Sequence, residues 1–399
     1  MQIQPLQSEP TSAAATAAEL KDINISIVVP TFREAENLPE LVGQLAAALA
    51  PAGWAWELIV VDDNSSDGTP QVLATLKQEH PQLRFLIRME DRGLSSAVLT
   101  GCAMARYNYV VVMDADLSHP PESVPLLVQP LLKNTADFVI GSRYVAGGRT
   151  EDWGAFRWLN SAVATALSRP FVGAVKDSMA GFFAFRRNML ASCDELNPIG
   201  YKIGLELLVK ARITRITEVP IVFRNRIHGQ SKLTLKEQFR YLEHLSRLYD
   251  YKYPKGSPRL KFLIVGAFGA CAALAAVHVL YEWMHLPYLP ALTAGLLAMV
   301  IVTLAFFVRY VRTQRAFIIM RRPYLEFALI STTEVVGGIL AGIFANRIWG
   351  PLPATLVSLL AVILARYLLR KVFLHDVRGL HKTARPSPQP LAPASCDQA

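Results

Sequence analysis

Residues 110–122 read VVVMDADLSHPPE: three valines and a methionine run without a break into Asp114, Ala115 and Asp116, followed by Leu117, Ser118 and His119 before two prolines. A continuous β-branched run is the pattern of a strand buried on both faces, as in a parallel sheet. Residues two apart in an extended segment point to the same side, so both carboxylates reach one ion beyond the strand end. Open α/β sheets bind ligands at that carboxyl edge. Two hard oxygen ligands supplemented by substrate phosphates are the usual way to hold Mg2+ or Mn2+ on a diphosphate. An isolated Asp-x-Asp in a surface loop would carry little meaning; its place after a buried strand marks this one. His119, alone before two prolines, reads as structural.

The same kind of apolar run recurs upstream and downstream, in ISIVVP (25–30), ELIVV (57–61), RFLIR (84–88) and DFVIG (137–141), with helical periodicity between, as over 37–50 and 122–132. Strands alternating with helices predict a mostly parallel sheet covered on both faces, an α/β nucleotide-binding architecture. Residues 1–22 have no basic n-region and no long apolar stretch and read as a disordered leader rather than a signal peptide. The cysteines, Cys102, Cys193, Cys271 and Cys396, lack metal-ligand spacing and suggest reduced thiols.

Beyond Lys261 the chain becomes apolar over 262–280, 289–308, 324–344 and 354–373, each near the roughly 20 residues that cross a bilayer. The third stretch carries Glu326 and Glu334 and the fourth Arg366, charges expected to face neighbouring helices rather than lipid. Lys252, Lys255, Arg259 and Lys261 precede the first stretch, and Arg309, Arg312, Arg315, Arg321 and Arg322 separate the second from the third. The positive-inside rule then places the α/β domain and the C-terminus in the cytoplasm. The expected organisation is a leader (1–22), an α/β domain (23–230), a linker helix (231–258), a four-span membrane domain (259–376) and a Pro-rich disordered tail (377–399). In the linker, Leu235, Phe239, Leu242, Leu245 and Tyr249 recur at helical spacing among Lys236, Arg240 and Arg247. Such a helix either lies at the membrane surface or packs as a domain connector. Phe156, Leu159, Val163 and Leu167 form a second amphipathic candidate.

The formal net charge of +9 admits nucleic acid, anionic lipid or a phosphorylated substrate as partner and does not choose among them. IVVDDNSSDGT (59–69) is again a strand ending in carboxylates, Asp62 and Asp63. Two readings stand open there: a strand-to-helix turn capped by Ser66 or Asp67, or a carboxylate that accepts hydrogen bonds from a nucleoside. IVVPTFREAENL (27–38) ends a strand at Pro30 and brings Glu34 to the same edge.

PTFREAENL (30–38), VVDDNSSDGT (60–69), RGLSSAVLTG (92–101), DADLSHPPE (114–122), GSRYVAGG (141–148), GFFAFRR (181–187), ELNPIGYKIGLELLVK (195–210) and RIHGQSKL (226–233), in that order, resemble the polyprenyl-phosphate mannosyltransferases, the dolichol-phosphate mannose synthase group of family 2 glycosyltransferases. The resemblance covers about residues 23–253, and the apolar tail is similar to GtrA-like four-helix membrane domains. It implies a GT-A nucleotide-diphosphosugar transferase fold followed by an all-α transmembrane domain, with no nucleic-acid partner. It implies that Pro30, Thr31, Glu34 and Asp63 line the nucleoside pocket and that Asp114, Ala115 and Asp116 meet the diphosphate. Asp114 and Asp116 would hold the metal, with Ser118 beside them where relatives often carry Gln. Phe32 and Arg33 replace the Tyr and Asn usual in the first motif.

The resemblance further implies GDP-mannose as donor, a polyprenyl phosphate (dolichyl or undecaprenyl) as acceptor, and inversion at the sugar carbon. Arg143, Arg157, Arg224, Arg226 and Lys232 are the basic residues offered to the acceptor phosphate, since the planar guanidinium fork suits phosphate oxygens. Asp177 would orient the sugar or an arginine, and Lys202 with Glu206 would complete the site. A UDP-glucose:polyprenyl-phosphate glucosyltransferase shares this logic. A translocator of lipid-linked sugar with a regulatory sugar-nucleotide-binding domain is the alternative outside enzymes.

Overall fold

The computed structural model describes residues 23–90, 92–151, 155–193, 196, 199–211, 213–226, 235–254, 256–306 and 323–377; within these, the side chains of 155–160, 235–236, 258–259, 262, 323–326 and 370–377 lie outside the description. Two compact units divide after Pro254.

The first unit is built on a seven-stranded sheet of order β3-β2-β1-β4-β7-β5-β8. Its strands are β1 (Asn24–Thr31), β2 (Ala55–Asp62), β3 (Leu83–Ile87), β4 (Tyr109–Val112), β5 (Phe138–Ser142), β7 (Phe183–Arg186) and β8 (Ile216–Pro220). All pair in parallel except β7, which runs antiparallel between β4 and β5. β6 (Arg149–Thr150) and β9 (Val222–Phe223) form a separate two-stranded ladder. Helices α1 (Leu38–Leu49), α2 (Thr69–Glu79), α3 (Leu94–Met104), α4 (Val124–Leu132), α5 (Ala155–Val172), α6 (Ile203–Lys210) and α7 (Leu235–Lys252) complete the unit.

The strands bury their β-branched runs in two clusters. Ile25, Ile27 and Val29 pack with Leu41, Leu45, Leu127 and Leu131, while Val28, Ile59 and Val61 pack with Ala97, Val98 and Cys102. At about 25 cal/mol per Å² of apolar area, these fully buried side chains supply most of what orders the sheet. Gly101 is required by this packing: a Cβ there would come within 2.4 Å of Val28.

The register fixes where the sheet opens. β1 follows β2 as far as Thr31↔Asp62, whereas its ladder with β4 stops at Val28↔Val112. Pro30 therefore loses no bond on the β4 side, where its missing N–H would have mattered. The chain leaves β1 towards β2 on one side and returns to β4 on the other, so the switch point lies between the carboxyl ends of β1 and β4.

Helix α7 is amphipathic in two senses. Tyr241, Leu245 and Leu248 are buried against Phe171, Met179, Leu205 and Val209, whereas Phe239 and Leu242 protrude, 60% and 44% exposed. The Tyr241 and Tyr249 hydroxyls donate to the Ala164 and Leu167 carbonyls of α5, where Val163 and Leu167 are themselves exposed.

The second unit holds α8 (Gly256–His278) with its π-helical extension Val279–Trp283, α9 (Tyr288–Phe306), α10 (Pro323–Trp349) and α11 (Pro351–Val377). Four segments, Leu263–Trp283, Tyr288–Phe306, Phe327–Trp349 and Pro351–Leu369, are long and apolar enough to cross a membrane. Their facing side chains include Ala273, Val277, Leu292, Leu296, Met299, Leu359 and Val362. Glu334 and Arg366 meet in a buried bidentate ion pair between α10 and α11, so these charges face a neighbouring helix. Gly350, at φ +80°, makes the whole turn between those two helices, a conformation glycine adopts without penalty. Of the basic residues used for orientation, Arg309, Arg312, Arg315, Arg321, Arg322 and Lys255 lie outside the described residues.

Candidate active site

Three loops meet at the switch point, each carrying a non-glycine residue in the left-handed region: Arg33 (φ 60°), Asn64 (φ 53°) and Leu117 (φ 60°). Side chains lace the first two together. The Arg33 N–H donates to Ser65 Oγ, Glu34 N–H to Thr69 Oγ1 and Ala35 N–H to Asp67, which also accepts from the Thr69 N–H and hydroxyl. Asp67 is thus the capping side chain at the start of α2. Asp62 is fully buried and accepts from Thr31 Oγ1 and from both N–H and Oγ of Ser65, so of the two adjacent carboxylates it is the structural one.

Asp63 is also held. One carboxylate oxygen takes Nε and Nη2 of Arg88, and the other accepts the Gly93 N–H. Arg88 extends further to Ser96 Oγ and the Gly93 carbonyl. Arg88 ends the RFLIR strand, and the sequence carries no local sign of this role, because its partner lies 25 residues upstream. Pro30 and Thr31 are buried at the end of β1, the Thr31 hydroxyl turned towards β2, while Glu34 is half-buried and accepts from Asn37 Nδ2 at 2.7 Å.

On the other side of the switch point, the Asp116 carboxylate is buried. Its Oδ1 accepts from the Ser118 N–H (3.1 Å) and hydroxyl (2.6 Å), and its Oδ2 lies 2.7 Å from Arg226 Nε. Asp114 is more open, with 35% of its side chain exposed. Its N–H donates to His119 Nδ1 at 2.9 Å, and the imidazole is sandwiched between Phe182, stacked at 5.2 Å, and the edge of Phe223 at 5.5 Å. Burial pulls the His119 pKa down against the attraction of Asp114 and Asp116, so the ring is a neutral brace for the loop. Ala115 is buried between the two carboxylates. Gly181, first residue of GFFAFRR, backs this loop: a Cβ there would press on His119 Cε1 at 3.3 Å and touch the Asp114 carboxylate at ordinary contact distance.

Cationic groups surround the pair. Arg143 binds Asp177 through Nε and Nη2, both at 2.7 Å, and through its own N–H at 3.0 Å. Its guanidinium lies 5.3 Å from the Tyr144 and Phe223 ring centroids. Burial works against the Arg143 charge, but the Asp177 bonds outweigh it and hold its pKa above the ordinary value. The Lys176 and Asp177 N–H groups in turn donate to Glu218 on β8. Lys202 Nζ donates to the Met179 carbonyl at 2.7 Å. Burial, then the positive charge of Arg143, pull its pKa down to about 8, against the attraction of Asp177 and Asp114. Arg224 pairs with Glu122, and its N–H donates to the Ser118 carbonyl.

Of the residues singled out from the sequence, the structure thus brings Asp114, Asp116, Ser118, Arg143, Asp177, Lys202, Arg224 and Arg226 around one edge. Glu206 is instead fully buried on α6, ion-paired with Lys210 at 2.7 Å and 3.4 Å from His244 of α7, where it joins two helices. Arg157 lies on α5 with its side chain outside the description, and Lys232 lies outside the described residues.

A divalent cation fits the residues present. Asp116 Oδ2 already accommodates a positive group, and the donor set is hard oxygen, which suits Mg2+ or Mn2+. No group of three or more His, Cys, Asp or Glu among the described residues could hold a metal by itself. Such an ion would complete its shell with oxygens from water, hydroxyls or substrate.

Because the Lys202 ammonium loses its proton near pH 8, activity that depends on its charge should fall as pH rises through that value. The expected result is an alkaline limb in kcat/KM with a midpoint near pH 8. Lys202→Met should be slower and lack that limb; persistence of the limb in the variant would assign it elsewhere.

Residues 26–193 match the family described as Glycosyl transferase family 2. Over 250 residues the chain is 42% identical to a dolichol-phosphate mannosyltransferase of Pyrococcus furiosus, covering 62% of this chain and 69% of that protein. It is 40% identical over 240 residues to the dolichol-phosphate mannosyltransferase of Saccharomyces cerevisiae, covering 58% and 89%. Among solved structures, glucosyl-3-phosphoglycerate synthase from Mycobacterium tuberculosis, in complex with Mn2+, UDP-glucose and phosphoglyceric acid, aligns with a TM-score of 0.44 at 22% identity, covering 61% of this chain and 85% of that one.

Proposed function

The chain belongs to the dolichol-phosphate mannosyltransferases of glycosyl transferase family 2, and from that membership we propose that it moves mannose from GDP-mannose to a polyprenyl phosphate, with inversion and with Mg2+ or Mn2+. The carrying observation is the meeting of two carboxylates, Asp114 and Asp116, with the cations Arg143, Lys202 and Arg226 at the carboxyl edge of β4. Acidic groups at such an edge suit a metal-bound diphosphate, and the cations suit a second, separate anion.

The acceptor is a phosphate monoester with a second pKa near 6, so it is largely dianionic at neutral pH and is its own nucleophile. Its oxygen forms the new bond to the sugar's anomeric carbon while the bond from that carbon to the nucleoside diphosphate breaks on the opposite face. No proton has to be removed. The bound cation, held by Asp114, Asp116 and donor oxygens, would supply charge neutralisation of the departing diphosphate. The protein's own contribution is placement. Asp63 and Glu34 are offered to the nucleoside, Asp177 fixes the Arg143 fork, and Arg143, Arg224 and Arg226 are offered to the acceptor phosphate. Lys232 and Arg157 belong to the same proposal on sequence grounds.

The acceptor's chain is in a membrane, and the second unit has helices suited to one. We place the exposed Phe239 and Leu242 of α7, with Val163 and Leu167 of α5, in the lipid interface, and the catalytic unit on the cytoplasmic side. Incubating membranes with labelled GDP-mannose or labelled UDP-glucose tests the donor. Label is expected in chloroform-extractable lipid from GDP-mannose, dependent on added polyprenyl phosphate and abolished by chelator. Label arriving from UDP-glucose instead would replace mannose by glucose in this reading.

A further inference from the structure

Both oxygens of Asp116 are engaged without any metal: Ser118 donates twice to Oδ1, and the Arg226 guanidinium sits on Oδ2. A buried carboxylate left without a counter-charge is costly, so the arginine balances it. A divalent cation arriving at this carboxylate has Oδ2 as its natural site, because both donors on Oδ1 belong to the loop's own turn. At Oδ2 it would meet a positive group already bonded, and two cations on one oxygen repel each other.

We propose that Arg226 is the counter-ion that the metal displaces, and that its release from Asp116 delivers the guanidinium to the acceptor phosphate. Loading of the metal with the donor diphosphate then precedes capture of the acceptor. The inference rests on the reading of Asp116 as a metal ligand. The Arg224 N–H bond to the Ser118 carbonyl ties the backbone beside Arg226 to the loop that carries Asp116. The Arg226 side chain is 32% exposed, so it has solvent to swing into. Once a metal neutralises Asp116, an incoming phosphate, which accepts the guanidinium fork bidentately, attracts it more strongly than that carboxylate does.

The test is Mn2+ affinity in the full-length protein in detergent with GDP present, read from the electron paramagnetic resonance of free Mn2+. Arg226→Gln should bind Mn2+ about tenfold more tightly than wild type, the scale of one competing ion pair. Arg226→Lys, which keeps a competing charge, should stay close to wild type. The Gln variant should also need more polyprenyl phosphate for half-maximal rate. In the wild-type protein, binding of a water-soluble short-chain polyprenyl phosphate should tighten when Mn2+ and GDP are added, a measurement that stands even if the Gln variant fails to fold. Equal or weaker Mn2+ binding in Arg226→Gln, or acceptor binding indifferent to Mn2+ in the wild type, overturns the exchange. Asp116→Asn carried alongside separates the two ideas: undiminished Mn2+ binding there would instead remove the metal-ligand reading itself.

Discussion

Asp116→Asn is expected to cut transfer a hundredfold to a thousandfold while the protein stays folded. The carboxamide is nearly isosteric and its oxygen can still accept from Ser118, so the turn that carries Leu117 in the left-handed region keeps its bonds. What disappears is one negative charge beside the site of the departing diphosphate. Removing a single preorganised electrostatic group of this kind costs about 2.7–4 kcal/mol of barrier. Stability should fall little, since the Arg226 left behind is partly in water. Mn2+ with GDP should raise the thermal midpoint of the wild type, because a ligand that binds only the native state stabilises it, and should do so much less for the variant. Near-normal transfer by Asp116→Asn in a chelator-treated assay replenished with magnesium would show that Asp116 does not hold the metal.

Asp177→Ala should fail differently, in stability first. Asp177 is fully buried and accepts three bonds from Arg143, whose side chain is itself only 10% exposed. Removing one member of such a pair strands the other charge, at a cost of about 3–5 kcal/mol. That is a large share of a domain's stability, so the denaturation midpoint of the catalytic unit should drop sharply. Where the variant is folded, Arg143 has lost its fixed fork, and the KM for polyprenyl phosphate should rise more than the KM for the nucleotide sugar. Unchanged stability would mean that water or another group reaches Arg143 and that the pair is not sealed.

Much of this was written in the chain because it depends on local pattern. The runs 25–30, 57–61, 84–88, 109–113 and 137–141 fall on β1 to β5, since continuous β-branched stretches have few other homes. Asp114 and Asp116 could be placed at a strand end for the same reason. Direction was not legible: FFAFR is an apolar run like that of any buried strand, and nothing in it says that β7 runs antiparallel between β4 and β5. Which of Asp62 and Asp63 is structural was equally hidden, because the choice is made by Ser65 and Thr31 on one side and by Arg88 and Gly93 on the other. Long-range pairs are the hardest case. Arg226 meets Asp116 across more than a hundred residues, and no periodicity encodes it. In α7 the spacing announced an apolar stripe but not that Leu245 is buried in protein while Phe239 and Leu242 remain exposed.

The buried pair in the second unit bears on how the chain is made. Glu334 and Arg366 each stand sixteen residues from Gly350, one before it and one after, so a straight hairpin sets them level, about 24 Å from the turn. A lone charge inside a span is costly when a helix is handed singly from the translocation machinery to lipid, up to about 2.5–3.5 kcal/mol at the span's centre and less towards its ends, where Glu334 and Arg366 stand. Paired, the two side chains are buried between the helices as a neutral unit, and their hydrogen-bonding groups are spent on one another. The smallest unit that would partition with no unpaired charge is then the two spans together, Phe327–Trp349 with Pro351–Leu369, so we expect α10 to await α11 during synthesis.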